Sequence, residues 1–171
     1  MSRRNRRRTP PSRQREHRRH GCNDHLVIAP LWVAYQTNLG TLLRTCDAIG
    51  ACMAVPATAH YRASLNRGDT LARRPHLHWI RGSRTNWIRR QQQAGKRIVV
   101  VELTDRSLPL SLLEPAREST VLLLGHEGLG VPDEVVALAD EVVSIPMVGV
   151  GVSLNVAVAG SLVGYRLAGL S

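Results

Sequence analysis

The chain is expected to be an α/β protein, with a mostly parallel sheet flanked by helices, on three observations. Short apolar runs recur at residues 26–34, 52–55, 99–103, 121–124 and 142–145. Runs of this kind are the mark of strands covered on both faces. Stretches with apolar residues at helical spacing lie between them. Glycine-bearing loops at 125–130 and 149–151 leave the ends of two runs and lead towards helix starts. In an open parallel sheet, loops at strand ends are where a ligand settles.

Taken in order, residues 1–21 are dense in arginine, poor in apolar side chains and broken by Pro10 and Pro11. Such a segment cannot bury enough surface to order itself, which predicts a disordered tail, with one domain over 22–171. The tail reads either as an arm that releases phosphate counterions on binding nucleic acid or as a solvated extension. Residues 26–34 form a strand-like run whose Pro30 suggests an edge or bulged position. In QTNLGTLLRTCDAIGA, Leu39, Leu42, Leu43, Cys46 and Ile49 keep helical spacing, and Gly50 closes the helix. Residues 52–55 are a strand ended by Pro56, 76–80 another, and 84–94 a helix. The strand at 99–103 precedes a loop over 104–110, and the strand at 121–124 precedes GHEGLG. A helix over 132–139 with Asp133 and Glu134 in its first turn comes next, then the strand 142–145 stopped by Pro146. Ser153 suits the N-cap of a last, apolar helix running to about Leu167.

A length of 171 residues suits one domain with a sizeable core, built from Val, Leu, Ile and Ala because Phe is absent. No run approaches the roughly 20 apolar residues of a membrane span, so no membrane partner is expected. The odd cysteine count and the lack of metal spacing suggest reduced thiols and a cytoplasmic protein. His76 and His78 share a strand face without further partners at zinc-like spacing, so no metal is expected. The net charge of +10 is unevenly placed: residues 1–20 carry +8, 21–98 carry +8, and 99–171 carry −6. A basic tail and middle beside an acidic last third point to a polyanion bound outside that third. Trp79 and Trp87 lie among the arginines of the middle; Trp79 reads as packing, while Trp87 stays open between packing and base stacking.

Four segments together carry a resemblance: NLGTLLRT followed by DAIG, then GHEGLG, then IPM, then SLNVAVAGS. In this order they resemble the TrmH-type branch of the SPOUT RNA methyltransferases, over roughly residues 26–170. His126 departs from the pattern, since the family commonly has a small or amide residue there. The resemblance implies a deep C-terminal trefoil knot at about 120–171 and a homodimer with its site at the subunit interface. It implies S-adenosylmethionine as cofactor, held by Leu103, Leu124, Gly125, Glu127, Gly130, Ile145, Met147, Ser153 and Leu154. On spacing alone Asn38 reads as an N-cap and Arg44 as a surface charge. The resemblance instead makes Arg44 catalytic, with Asn38, Glu127, Ser153 and Asn155 orienting it and a ribose. A guanidinium suits gripping a phosphate and steadying a developing alkoxide. The implied activity is 2′-O-ribose methylation of tRNA or rRNA. A base methyltransferase of the same superfamily and a non-catalytic RNA-binding protein on this fold are the alternatives.

Overall fold

The computed structural model describes residues 25–67, 75–151 and 153–171. The tail expected over 1–21 lies outside them. The described strands are β1 (Leu26–Ala29), β2 (Cys52–Pro56), β3 (Leu77–Ile80), β4 (Arg97–Val101), β5 (Leu108–Pro109), β6 (Thr120–Leu123) and β7 (Glu141–Ser144). The helices are α1 (Gln36–Ile49), α2 (Ala59–Arg67), α3 (Arg84–Gln93), α4 (Asp133–Val136) and α5 (Val156–Leu167), with a 3-10 turn at Leu110–Leu112. The strands form one parallel sheet in the order β3-β2-β1-β6-β4-β7-β5. Strand β6 lies between β1 and β4, with Val121 in register with both Val27 and Ile98.

The apolar runs are continuous because each strand feeds two cores, one on each face of the sheet. Ile28, Met53, Val55, Val99 and Leu122 pack under α1, α2 and α5, with Leu42, Leu65 and Val163 among the residues they meet. Val27, Ala29, Ala54, Ile98, Val100, Val121 and Leu123 point the other way, towards Ile88 of α3 and Val135 of α4. Helix α5 crosses α1 closely. A Cβ on Gly160 would stand 2.8 Å from Leu42 Cδ2 and 2.5 Å from Leu124 Cδ1, and Thr45 Oγ1 and Ser161 Oγ share a hydrogen bond of 2.7 Å.

The structure corrects several expectations. Strand β1 ends at Ala29, before Pro30, and is interior rather than an edge, so the proline removes no ladder bond. Its carbonyl instead accepts the Tyr61 hydroxyl at 2.9 Å. Helix α2 was not anticipated, because arginines hide its buried pair Tyr61 and Leu65. The two-residue β5, inside the expected loop, pairs only with β7. Helix α4 is shorter than the expected 132–139. The last helix starts at Val156, and its cap is Asn155, not Ser153, since Asn155 Oδ1 accepts from Ala157 N at 2.9 Å and Val158 N at 3.2 Å. Gly50 does close α1, in the left-handed region at φ 72°.

Candidate active site

The carboxyl ends of β6, β4 and β7 open into a cleft of about 660 Å³. Its walls include Leu103, Leu124, Gly125, Glu127, Gly130, Ile145, Met147, Ser153 and Leu154, so the expected cofactor residues come together. Leu124 is fully buried at the floor, while Leu103 and Leu154 are exposed towards the rim. Apolar side chains opposed by loop backbone suit a flat heterocycle flanked by polar sugar and amino-acid groups. In this respect the lining fits S-adenosylmethionine.

The loop after β6 holds its shape through its own backbone. His126 and Gly130 exchange two hydrogen bonds, His126 N to Gly130 O at 2.9 Å and Gly130 N to His126 O at 2.8 Å. The His126 Nδ1 accepts from Gly128 N at 3.0 Å, so the imidazole closes the turn. A Cβ on Gly125 would run into the Gly130 backbone, so this glycine permits the loop's own close approach. Gly130 has a φ of 68°, and its α-carbon is covered by the Glu102 carboxylate. Glu102 Oε1 accepts from Val131 N at 2.7 Å and braces the loop from the end of β4. Sequence reasoning missed Glu102. The available signal was an acid directly after a buried strand on the ligand-binding edge of a parallel sheet.

Glu127 ties this loop to the start of α1. Its Oε2 accepts from Ala34 N at 3.0 Å, and its Oε1 accepts from Tyr35 N at 3.1 Å and Asn38 Nδ2 at 2.7 Å. Asn38 Oδ1 in turn accepts from Asn155 Nδ2 at 3.1 Å. Asn38 is therefore buried within the first turn of α1 and is not its cap; that position belongs to Tyr35, whose side chain makes no capping bond. Desolvation pushes the Glu127 carboxyl up, but the donors from Ala34, Asn38 and Tyr35 outweigh it and hold it below the usual glutamate range. The result is a fixed anion with a directed amide chain running from the glycine loop through α1 to the N-terminus of α5.

Of the five residues expected to be catalytic, Asn38, Glu127 and Asn155 form this one chain, and Ser153 lies on the cleft wall. Arg44 is exposed on α1 and, like Asn38 and Asn155, is not among the residues that line the cleft. Trp79 is partly buried against the first core, in keeping with a packing role, and Trp87 is partly buried against the second. Among the described residues no cluster of His, Cys, Asp and Glu could hold a metal, and no helix is long and apolar enough to cross a membrane.

Comparison with known proteins agrees with this geometry. A tRNA (guanosine(18)-2'-O)-methyltransferase of Escherichia coli (strain K12) is 32% identical over 133 residues, which is 75% of this chain and 56% of the relative. The chain thus spans little more than half the length of that relative. A tRNA (cytidine(34)-2'-O)-methyltransferase of Beijerinckia indica is 34% identical over 134 residues, 74% of this chain and 79% of the relative. An AdoMet-bound rRNA methyltransferase from Sinorhizobium meliloti superposes with a TM-score of 0.70 at 27% identity, covering 83% of this chain and 55% of that one. Residues 25–165 match the SpoU rRNA Methylase family, and the chain belongs to that family.

Proposed function

We propose that the protein transfers a methyl group from S-adenosylmethionine to a ribose 2′-hydroxyl of tRNA or rRNA, acting as a cytoplasmic homodimer. The observation that carries this reading is a cleft lined by every expected cofactor residue, one of which, Glu127, begins the Glu127–Asn38–Asn155 chain. The relatives named above, each a 2′-O-ribose or rRNA methyltransferase by name, support it. We also propose that residues 120–171 are threaded as a trefoil knot. The insertion of β6 between two earlier strands, the convergence of residues 125–130, 145–147 and 153–154 on one cleft, and the return of α5 across α1 support this arrangement.

When bound, the cofactor supplies an electrophilic methyl on a sulfonium. The chain's residues hold and orient. Leu124, Ile145, Met147 and Leu154 exclude water around the ring, and the loop backbones meet the polar groups. Glu127 and the asparagines keep the start of α1 and the N-terminus of α5 in fixed relation, so that ribose and methyl can meet in line. Arg44 grips the phosphate beside the target ribose and stabilises the developing negative charge on the 2′-oxygen. As the O–CH3 bond forms and the S–CH3 bond breaks, the hydroxyl proton passes by way of that phosphate to solvent and the neutral thioether leaves. In the proposed dimer each Arg44 serves the partner's cleft. Helix α5 supports a dimer too. It is apolar nearly all round, yet Val158, Leu162 and Tyr165 on one stripe are 46%, 44% and 38% exposed. A helix apolar on every side is normally covered on every side.

Incubation of total RNA with methyl-labelled cofactor, followed by mapping of the labelled nucleotide, tests the reading. Label on a ribose, with the adjoining phosphodiester resistant to alkali, is the expected result. Label on a base, or no transfer to any RNA, overturns it.

A further inference from the structure

The carboxyl edge of the sheet has two halves. The cleft occupies the ends of β6, β4 and β7. The other half, at the ends of β1, β2 and β3, is formed by residues 30–35, 57–62 and 80–84. These segments contain three arginines and no acid. Two of the arginines are held by indoles: the Arg62 guanidinium carbon stands 4.6 Å from the centre of the Trp79 ring, and that of Arg84 stands 5.8 Å from the Trp32 ring. Arg81, between them in the chain, is exposed. The bond from the Tyr61 hydroxyl to Pro30 O ties the start of α2 to the loop after β1. Burial raises the Tyr61 hydroxyl, Arg84 pulls it down and Glu127 pushes it up, so the basic group begins beside the Glu127 anchor. At that boundary stands Tyr35, 63% exposed, its backbone fixed by Glu127.

An arginine stacked on an indole has lost much of its rotamer freedom before any ligand arrives, while the N–H edge of its fork still faces outwards. Such a group binds a phosphate with less ordering cost than a free surface side chain. The Trp79 face under Arg62 is closed to a base, so Trp79 acts as a support and not as a stacking platform. Tyr35 has no such cover.

We propose that Arg62, Arg81 and Arg84 form a clamp for the backbone phosphates of the RNA strand flanking the target nucleotide, with Tyr35 stacking on a base where the strand turns into the cleft. This rests on the RNA methyltransferase reading and adds to it the path of the substrate. The clamp leaves the acidic last third to the cofactor and gives the basic middle of the chain a defined task.

The test uses the full chain and an unfractionated tRNA pool, with affinity measured between about 50 and 200 mM salt. In Arg62→Gln/Arg84→Gln, binding should weaken at every salt concentration. The slope of log affinity against log salt should fall by roughly one to two, at about 0.7–0.9 for each phosphate no longer neutralised. Affinity for S-adenosylmethionine, read by calorimetry, should stay at the parent's value. Tyr35→Ala should weaken RNA binding without moving the salt slope, because stacking releases no counterion. Each arginine is also changed singly, so that a folding defect in the double variant leaves the slope measurable. Parent-like slopes in both single variants overturn the clamp, even if the parent methylates the pool. A parent that binds the pool with an arginine-dependent slope but transfers no methyl to any RNA overturns the methyltransferase reading alone.

Discussion

Glu127 accepts three N–H donors from one short stretch of chain, and a neutral amide in its place could accept at one atom only. Glu127→Gln should therefore lower stability by about 1–3 kcal/mol at pH 7, since it leaves donors unpaired. The effect should depend on pH. Folding depresses this carboxyl's pKa, so its contribution is complete above the ordinary glutamate value of about 4.3 and is lost as pH falls through the lower folded value. Denaturant unfolding of parent and variant at pH 7 and pH 3 should show a gap that narrows in acid. An equal gap at both would assign the loss to packing instead. Arg44 poses a different question, because it is exposed and does not line its own cleft. Arg44→Lys should fold and bind cofactor like the parent, at a cost within about 0.5 kcal/mol. Single-turnover methyl transfer should still drop by roughly 10²-fold or more, since an ammonium lacks the planar fork. Transfer within a few-fold of the parent would remove Arg44 from the catalytic set.

Among the elements, α1 and α5 decide whether the site holds together. Their crossing is close because Gly160 and Gly164 bring the α5 backbone down onto α1 and β1; a Cβ on Gly164 would stand 3.2 Å from Ile49 Cδ1 and 3.3 Å from Ile28 Cδ1. Gly160→Val should cost about 1–3 kcal/mol through overpacking against Leu42 and Leu124. It should also weaken cofactor binding, because Asn155 at the N-terminus of α5 would move with the helix. Calorimetry and thermal unfolding read the two effects separately, and unchanged values in both would mean that α5 can shift without disturbing the cleft. Most elements were legible beforehand. Each of the five apolar runs contributed a strand, although β1 stops at Ala29 and β4 runs from Arg97 to Val101 instead of reaching Leu103. The Leu39, Leu42, Leu43 and Cys46 spacing became the buried face of α1. Those that were missed share a cause. Helix α2 buries only a narrow stripe beneath its charges, and β5 is too short to carry a pattern.

At the scale of the whole molecule, the exposed stripe on α5 sets the expected assembly. Leu162→Glu would place a charge in the middle of the exposed apolar stripe through which the proposed dimer forms. Sedimentation should show a dimer for the parent and a monomer for the variant, with the variant's isolated fold intact. If Arg44 serves the partner's cleft, mixing Leu162→Glu with an excess of parent should not restore the variant's transfer rate. A parent that sediments as a monomer would end the dimer proposal. Determined by the sequence alone were the α/β class, the strand runs and the glycine loop, because periodicity and glycine placement are local properties of a chain. The list of side chains that would line a cleft came from the resemblance to the TrmH-type enzymes. The tertiary structure alone decided how these are joined. Strand order is a matter of long-range pairing, and nothing local tells β6 to enter between β1 and β4. Asn38 illustrates the difference: six residues before Arg44 it read as a helix cap, because its bonds to Glu127 and Asn155 span 89 and 117 residues of chain. Glu102 could not be recognised as a brace until the close packing of β4 against β6 brought its carboxylate onto the glycine loop. Whether a polar side chain is a cap, a brace or an anchor depends on which partner satisfies it, and here the partners of Asn38, Glu102 and Glu127 sit on loops and helices distant in the chain.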